Sequence, residues 1–349
     1  MKNYIIRGNI QVNSALIRAD GSNKIGLGHL TRQIDIAHEL KKMNYEVVFL
    51  TKNYPEGILI LKENHLKIIE LKYLGQNLPD SMNEIDIILK DYKRKFDLIM
   101  VDLPKDFDNQ TYLNNLKKYC KKLYVLSDEP NPFFIDVDAV FAISENQELY
   151  DYSNITTKYY AGLKYFPLNN KFETVPKKKI KKKVGKILIT FGGSDPNNIS
   201  GKIMKILKEI NLNMPIILVL GAGFSNDYYK SIIQNKLNNI EIKINIKNMI
   251  DYLINTDLCI CSAGNTLIEA LTCGAPCIVL PQTELENERA KALEQKQLII
   301  NMGLEFTNKR LITEINNQLI DYSSRKKLSR NAQNYLDGKG IKRIVNIIS

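Results

Sequence analysis

In the first half of the chain the apolar positions fall into short unbroken runs separated by stretches of spaced apolar residues. The runs at Ala15–Ala19, Glu46–Leu50, Leu98–Asp102, Leu123–Leu126 and Ala139–Ile143 are bounded by turn-forming residues and predict strands. The spaced stretches predict helices at His29–Met43 and Gln110–Lys121, with further helical material around Ile85–Lys95. The second half repeats the scheme. Strands are predicted at Lys186–Phe191, Ile216–Leu220, Leu258–Cys261 and Cys277–Leu280, with helices at Asn198–Ile210, Met249–Asn255, Thr266–Thr272 and Leu285–Gln295. Unbroken apolar strands alternating with amphipathic helices imply parallel sheets covered on both faces. The expected fold class is therefore α/β, with two doubly wound, Rossmann-like parallel-sheet domains facing a cleft.

At 349 residues the chain is too long for one ordinary core, which agrees with two domains. Pro176 opens the run Lys177–Lys183, which holds six lysines, and a strong strand follows it. We expect an N-terminal domain over 1–175, a solvated lysine-rich linker over 176–185 and a C-terminal domain over 186–349. The net charge of +11 alters little, because six of those charges lie in this one run. The run has no interleaved aromatic residues and no nucleic-acid motif, so no nucleic-acid partner is expected. No segment is long and apolar enough to span a membrane, and no secretion signal opens the chain. Five cysteines, an odd number, suit reduced thiols in the cytoplasm. The alternating Cys259 and Cys261, with Cys273 and Cys277 around the next turn, read as core packing and not as a metal site.

The richest chemistry lies in Asp20–Arg32, where Gly26 and Gly28 lead from a strand into a helix beginning near His29. Such glycines let the backbone turn sharply and approach a ligand closely. A helix start offers unpaired N–H groups and a positive field, which suits an anion and disfavours a protonated imidazole. His29 is then either an ordinary first-turn residue or a general base kept neutral. Four loops of the second half follow strands in series: Phe191–Pro196, Gly221–Gly223, Ser262–Thr266 and Pro281–Asn287. Each could be a simple turn, but the third runs small residues into a helix start, as a phosphate cradle would. Glu269, a turn further on, could accept from ribose hydroxyls. There is neither a dinucleotide fingerprint nor a P-loop, so no dinucleotide cofactor and no ATPase activity is expected.

The ordered set Asp20…Ile25-Gly26-Leu27-Gly28-His29…Arg32, Val101-Asp102, Ser127-Asp128-Glu129, Gly162-Leu163-Lys164-Tyr165, Gly192-Gly193-Ser194-Asp195 and Ser262-Ala263-Gly264-Asn265 resembles the UDP-sugar hydrolases of pseudaminic acid synthesis and related spore-coat polysaccharide proteins. Both belong to the GT-B architecture of nucleotide-sugar enzymes. The resemblance covers about residues 15–305 and implies inverting hydrolysis of a UDP-linked 2,4-diacetamido-trideoxy sugar, with no cofactor and no metal. It implies that His29 is the base and that Gly264, Asn265, Thr266 and Glu269 hold the nucleotide. Asp20, Gly26, Gly28, Arg32, Asp102, Gly192, Gly193, Ser194, Asp195, Gly221 and Asn287 complete the expected substrate site. The alternative in the same architecture is a glycosyltransferase, which would turn the base on an acceptor hydroxyl. Departures from the family fall in the sugar pocket. Leu103-Pro104-Lys105 stands where a tyrosine is usual, with Phe107 the first aromatic, and no arginine follows the Gly162–Tyr165 segment. Extra residues around Asn53–Asn83 include Ile58-Leu59-Ile60-Leu61, readable as core or as a lipid-facing patch.

Overall fold

The computed structural model describes residues 12–349 apart from 23–24, 75–77, 93–94, 105–109, 130–133, 154–155, 194, 196, 211, 222, 225, 235 and 247. The chain divides into two compact units. The first comprises residues 1–143, 150–161 and 341–349; the second comprises 144–149 and 162–340.

The first unit is one parallel sheet of seven strands: β1 (Asn13–Ala19), β2 (Tyr45–Lys52), β3 (Lys67–Leu71), β4 (Phe96–Asp102), β5 (Cys120–Ser127), β6 (Ala139–Ala142) and β7 (Lys158–Ala161). Their order is β3-β2-β1-β4-β5-β6-β7. The sheet reverses direction between β1 and β4, where Ala19 lies opposite Asp102. In open α/β sheets ligands bind beyond the carboxyl ends of strands at such a reversal. The helices are α1 (Gly28–Lys42), α2 (Pro55–Glu63), α3 (Leu78–Lys90) and α4 (Gln110–Lys117). Leu16, Ile99, Val101, Leu123 and Val125 build the core with Leu113 and Leu116 of α4. Each such fully buried aliphatic side chain contributes about 1.5–3 kcal/mol.

The segment around Asn53–Asn83 is not an insertion beside the fold. It carries α2, β3 and the start of α3, and so extends the sheet by a strand. Within α2, Ile58 and Leu61 enter the core while Leu59 stays exposed, as a one-sided surface helix requires.

The second unit repeats the plan with six parallel strands in the order β10-β9-β8-β11-β12-β13. They are β8 (Ile187–Thr190), β9 (Ile216–Leu220), β10 (Ile240–Ile244), β11 (Leu258–Cys261), β12 (Cys277–Val279) and β13 (Ile300–Asn301). Helices α5 (Ile199–Ile210), α6 (Asn226–Gln234), α7 (Ile250–Leu253), α8 (Asn265–Thr272), α9 (Glu284–Gln295), α10 (Asn308–Ile320) and α11 (Tyr322–Tyr335) surround this sheet. The last helix, α12 (Gly340–Ile348), belongs to the first unit from Ile341 onward. No helix among the described residues is long and apolar enough to cross a membrane.

The lysine run, expected as a solvated linker, is fastened by its backbone. Five of its six lysine side chains are exposed, but its backbone is pinned to the second unit. Lys178 N donates to Gln333 Oε1 at 2.7 Å, and Arg325 Nη2 donates to the carbonyls of Lys181 and Lys182 at 3.1 and 2.8 Å. Backbone groups so satisfied belong to a packed domain, whatever the charge of the side chains above them.

Candidate active site

At the reversal point of the first sheet, the loop after β1 closes on itself before α1 begins. Ser22 N donates to Gly26 O at 3.1 Å, and Gly26 adopts φ +85°, a conformation that glycine takes without strain. Helix α1 then starts at Gly28 with no side chain capping it, and places His29 and Arg32 one turn apart on the same face. That face looks toward the end of β4, where Asp102 is fully buried.

Asp102 is the hub of a charged cluster. Arg32 grips it bidentately, Nε to Oδ2 at 2.7 Å and Nη2 to Oδ1 at 2.5 Å. Gln33 Nε2 donates to Oδ2 at 2.9 Å, and His29 Nδ1 lies 2.7 Å from Oδ1. Arg32 also reaches Asp128 at the end of β5, Nη1 to Oδ2 at 2.8 Å. Burial alone would push the Asp102 carboxyl up, but Arg32 and His29 hold it below the ordinary range. An ionised carboxylate only accepts, so the contact with His29 fixes a proton on Nδ1 and leaves Nε2 as the basic nitrogen. Arg32 Nη2, 2.9 Å from the same Nδ1, opposes a positive charge on the ring.

His29 keeps about a fifth of its side-chain surface exposed, 19%. Its environment corrects the expectation of a histidine biased toward the neutral form. Burial lowers its affinity for a proton, yet the Asp102 carboxylate outweighs burial and raises its pKa above the ordinary value. A buried carboxylate in direct contact acts on the imidazole more strongly than the diffuse field of a helix start.

Asp20 lies beside this cluster but faces inward. Arg18 pairs with both of its oxygens at 2.6 and 2.8 Å, and Lys52 N donates to Oδ1 at 2.8 Å. Its carboxylate thus ties the end of β1 to the end of β2. Arg32 and Asp102 likewise spend their hydrogen bonds on each other and on His29. The sequence pointed to all three as substrate-site residues; in the structure Asp102 and Arg32 stand behind the imidazole, and Asp20 is bonded to Arg18 and Lys52. Gln33 and Asp128 received no role from the sequence, because their partners, Asp102 and Arg32, lie 69 and 96 positions away. Lys105 and Phe107 lie outside the described residues.

In the second unit the four loops gather at the carboxyl ends of β8, β9, β11 and β12, which are neighbours in the sheet. Gly192 takes φ +78°, and a Cβ on Gly221 would lie 2.4 Å from Gly192 O, so two backbones touch there. Gly223 N donates to Gly193 O at 2.8 Å. Asp195 caps α5, accepting from Ile199 N and Ser200 N at 2.8 and 2.6 Å, and its carboxylate is taken up by that task. Ser194 lies outside the described residues. Helix α8 follows Gly264 with no side-chain cap, leaving Asn265 and Thr266, both half-buried, at its positive end. Glu269 lies half-buried one turn on.

Glu286, which the sequence did not single out, joins two of these loops by accepting from Gln282 N at 2.8 Å and Ala263 N at 3.4 Å. Its pKa is raised, chiefly by burial. Asn287 is buried in the first turn of α9, with Nδ2 3.4 Å from Glu284 Oε2. All five cysteines are buried, and the sulfurs of Cys259, Cys261 and Cys277 lie within 4.8 Å of one another. In number and softness these three donors would suit a thiophilic ion. They lie inside the sheet, and hydrogen bonding with Cys259, together with burial, pushes Cys261 and Cys277 well above the ordinary thiol range.

Comparison with known proteins agrees with this plan. Residues 187–344 match the C-terminal domain of glycosyltransferase family 28. The chain is 34% identical over 290 residues to the uncharacterized protein MJ1062 of Methanocaldococcus jannaschii, covering 78% of this chain and 56% of that one. It thus spans little more than half the length of that relative. It is 26% identical over 347 residues to the spore coat polysaccharide biosynthesis protein SpsG of Bacillus subtilis, covering 95% and 96% of the two chains. The crystal structure of Acinetobacter baumannii MurG superposes with a TM-score of 0.72 at 14% identity, over 96% of this chain and 99% of that one. The fold is GT-B.

Proposed function

We infer that this GT-B chain is a nucleotide-sugar enzyme in which His29 is the general base, water the attacking group and UDP the leaving group. The observation that carries this reading is the imidazole itself, oriented by a buried carboxylate that Arg32 and Gln33 hold in place. In the reaction His29 Nε2 takes a proton from water as the water oxygen attacks the anomeric carbon. The carbon–oxygen bond to the diphosphate breaks on the opposite face, and its electron pair leaves with UDP, so the anomeric centre inverts. Gly264, Asn265 and Thr266 at the start of α8, with Gly192 and Gly193, are assigned to the diphosphate and Glu269 to the ribose. A 2,4-diacetamido-trideoxy sugar is the proposed glycosyl group. The kinship with SpsG supports a place in surface polysaccharide synthesis.

A second reading keeps the same base and nucleotide site but puts an acceptor hydroxyl in place of water. The match to a glycosyltransferase C-terminal domain favours it. One experiment tests both: UDP release from a panel of UDP-sugars, with and without candidate acceptors. Release without acceptor, together with free inverted sugar, is expected for the hydrolase. Release that appears only with an acceptor selects the transferase, and no release from any donor overturns the nucleotide-sugar reading.

A further inference from the structure

The lysine run has a structural partner that the proposed reaction does not use. Along Pro176–Lys183 there are six lysines and no acidic residue, and along α11 there are Arg325, Lys326, Lys327 and Arg330, again with no acidic residue. Arg325 is buried, and its bonds to the Lys181 and Lys182 carbonyls hold the two segments together. The bond from Lys178 N to Gln333 fastens them a second time. Between them is a cavity of about 350 Å³, lined by Lys177, Lys178, Lys179, Lys326 and Arg330. Among the described residues none of these five forms an ion pair with a carboxylate. Lys178 Nζ instead donates to the carbonyl of Ile254 at 2.8 Å.

We propose that this cavity binds a multiply charged phosphate group. Like charges lining one cavity repel one another, and a polyvalent anion offsets that repulsion while gaining charge-assisted hydrogen bonds. Lysine ammoniums with one guanidinium suit tetrahedral phosphate oxygens, which accept from many directions. Burial lowers the pKa of Lys178 against the opposing pull of the Asp257 carboxylate, and a bound anion would raise it.

The cavity is separate from the nucleotide loops. The run enters β8 at its amino end, where Gly185 N and Lys186 N donate to Asp257 at 2.9 and 3.1 Å just before β11. The loops assigned to UDP lie at the carboxyl ends of the same strands. The site therefore stands or falls independently of the proposed reaction. The phosphate could come from a free oligophosphate or from a lipid headgroup, and the test has an arm for each.

In the first arm, sodium tripolyphosphate, pyrophosphate and sulfate are titrated calorimetrically into the full-length chain at constant ionic strength. In the second, the chain is sedimented with phosphatidylcholine vesicles with and without phosphatidic acid. Both arms are repeated with Lys177→Gln/Lys179→Gln/Lys326→Gln/Arg330→Gln, four exposed positions whose loss leaves the core intact. The expected result is one tripolyphosphate per chain, bound more tightly than pyrophosphate and far more tightly than sulfate, with affinity at least tenfold weaker in the variant. Vesicle binding that needs phosphatidic acid and is lost in the variant assigns a lipid source, and its absence beside tripolyphosphate binding assigns a soluble one. No binding in either arm, or binding that the variant leaves unchanged, overturns the proposal.

Discussion

His29, Asp102 and Arg32 act as one device, and each predicts a different loss. His29→Asn removes the basic nitrogen and is expected to lower kcat by about 10²–10⁴-fold while leaving UDP affinity near wild type. Asp102→Asn leaves the imidazole in place but unorients it, and a loss of about 10²–10⁴-fold is expected here too. The pH profile separates the two. The base must be unprotonated, and its pKa is raised, so the wild-type rate should fall on the acid side with an inflection above the ordinary histidine value. Without the Asp102 charge that inflection moves to lower pH, whereas in His29→Asn it disappears; an unmoved inflection in Asp102→Asn would sink the pairing. Stability follows the same linkage. The raised His29 contributes stability that is fully present below its unfolded pKa and is lost as pH rises through the folded value. Asp102, held low, contributes above the unfolded carboxylate pKa, and that share is lost as pH falls through its lowered one. Melting temperatures of wild type and His29→Asn across pH should therefore converge toward the alkaline side.

At the scale of elements, close backbone approaches set the loops in place. A Cβ on Gly57 of α2 would lie 2.4 Å from Gly21 O, in the loop that leads to His29. Gly57→Ala must push that loop aside, at a cost of about 1–3 kcal/mol for overpacking. It should lower both the melting temperature and the rate, although residue 57 touches no substrate. If turnover stays at the wild-type level, α2 does not set the position of the loop. These contacts also show what the sequence could reveal. Buried central strands such as β1, β4, β8 and β11 were legible as apolar runs, and the glycine loops were legible by their place after them. Edge strands were not: β3 and β10 mix polar and apolar residues, β13 has two residues, and the helices after Met302 follow no strand that announces them. The histidine could be found from its local loop. Asp102 and Arg32 were singled out too, but not their contact, because Asp102 and Asp128 meet Arg32 only through the sheet order, and Glu286 meets Ala263 only through the pairing of β11 with β12. The lysine run hid its contacts for a related reason. Its side chains are solvated, as the charge implies, but its carbonyls were committed to an arginine 143 positions away.

For the whole molecule, the path of the chain matters as much as its two sheets. After completing the second unit it returns to the first with α12, whose Ile341, Ile344, Val345 and Ile348 are all buried and recur at helical spacing. Burying these four side chains contributes several kcal/mol at about 1.5–3 kcal/mol each, a large part of a marginal stability. Truncation after Gly340 is therefore expected to lower the melting transition of the first unit while leaving that of the second. Ligand linkage distinguishes the two transitions. UDP assigned to the α8 start should raise only the transition of the second unit, by about 2.7 kcal/mol at a hundredfold excess over Kd. Calorimetry of the full chain and of the truncated chain, each with and without UDP, reads both effects together. Glu269→Ala should shrink the UDP shift in the full chain without altering the unliganded transition. A UDP shift confined to the first unit would remove the nucleotide assignment. A truncation that leaves both transitions unchanged would show that α12 is not part of the core of the first unit.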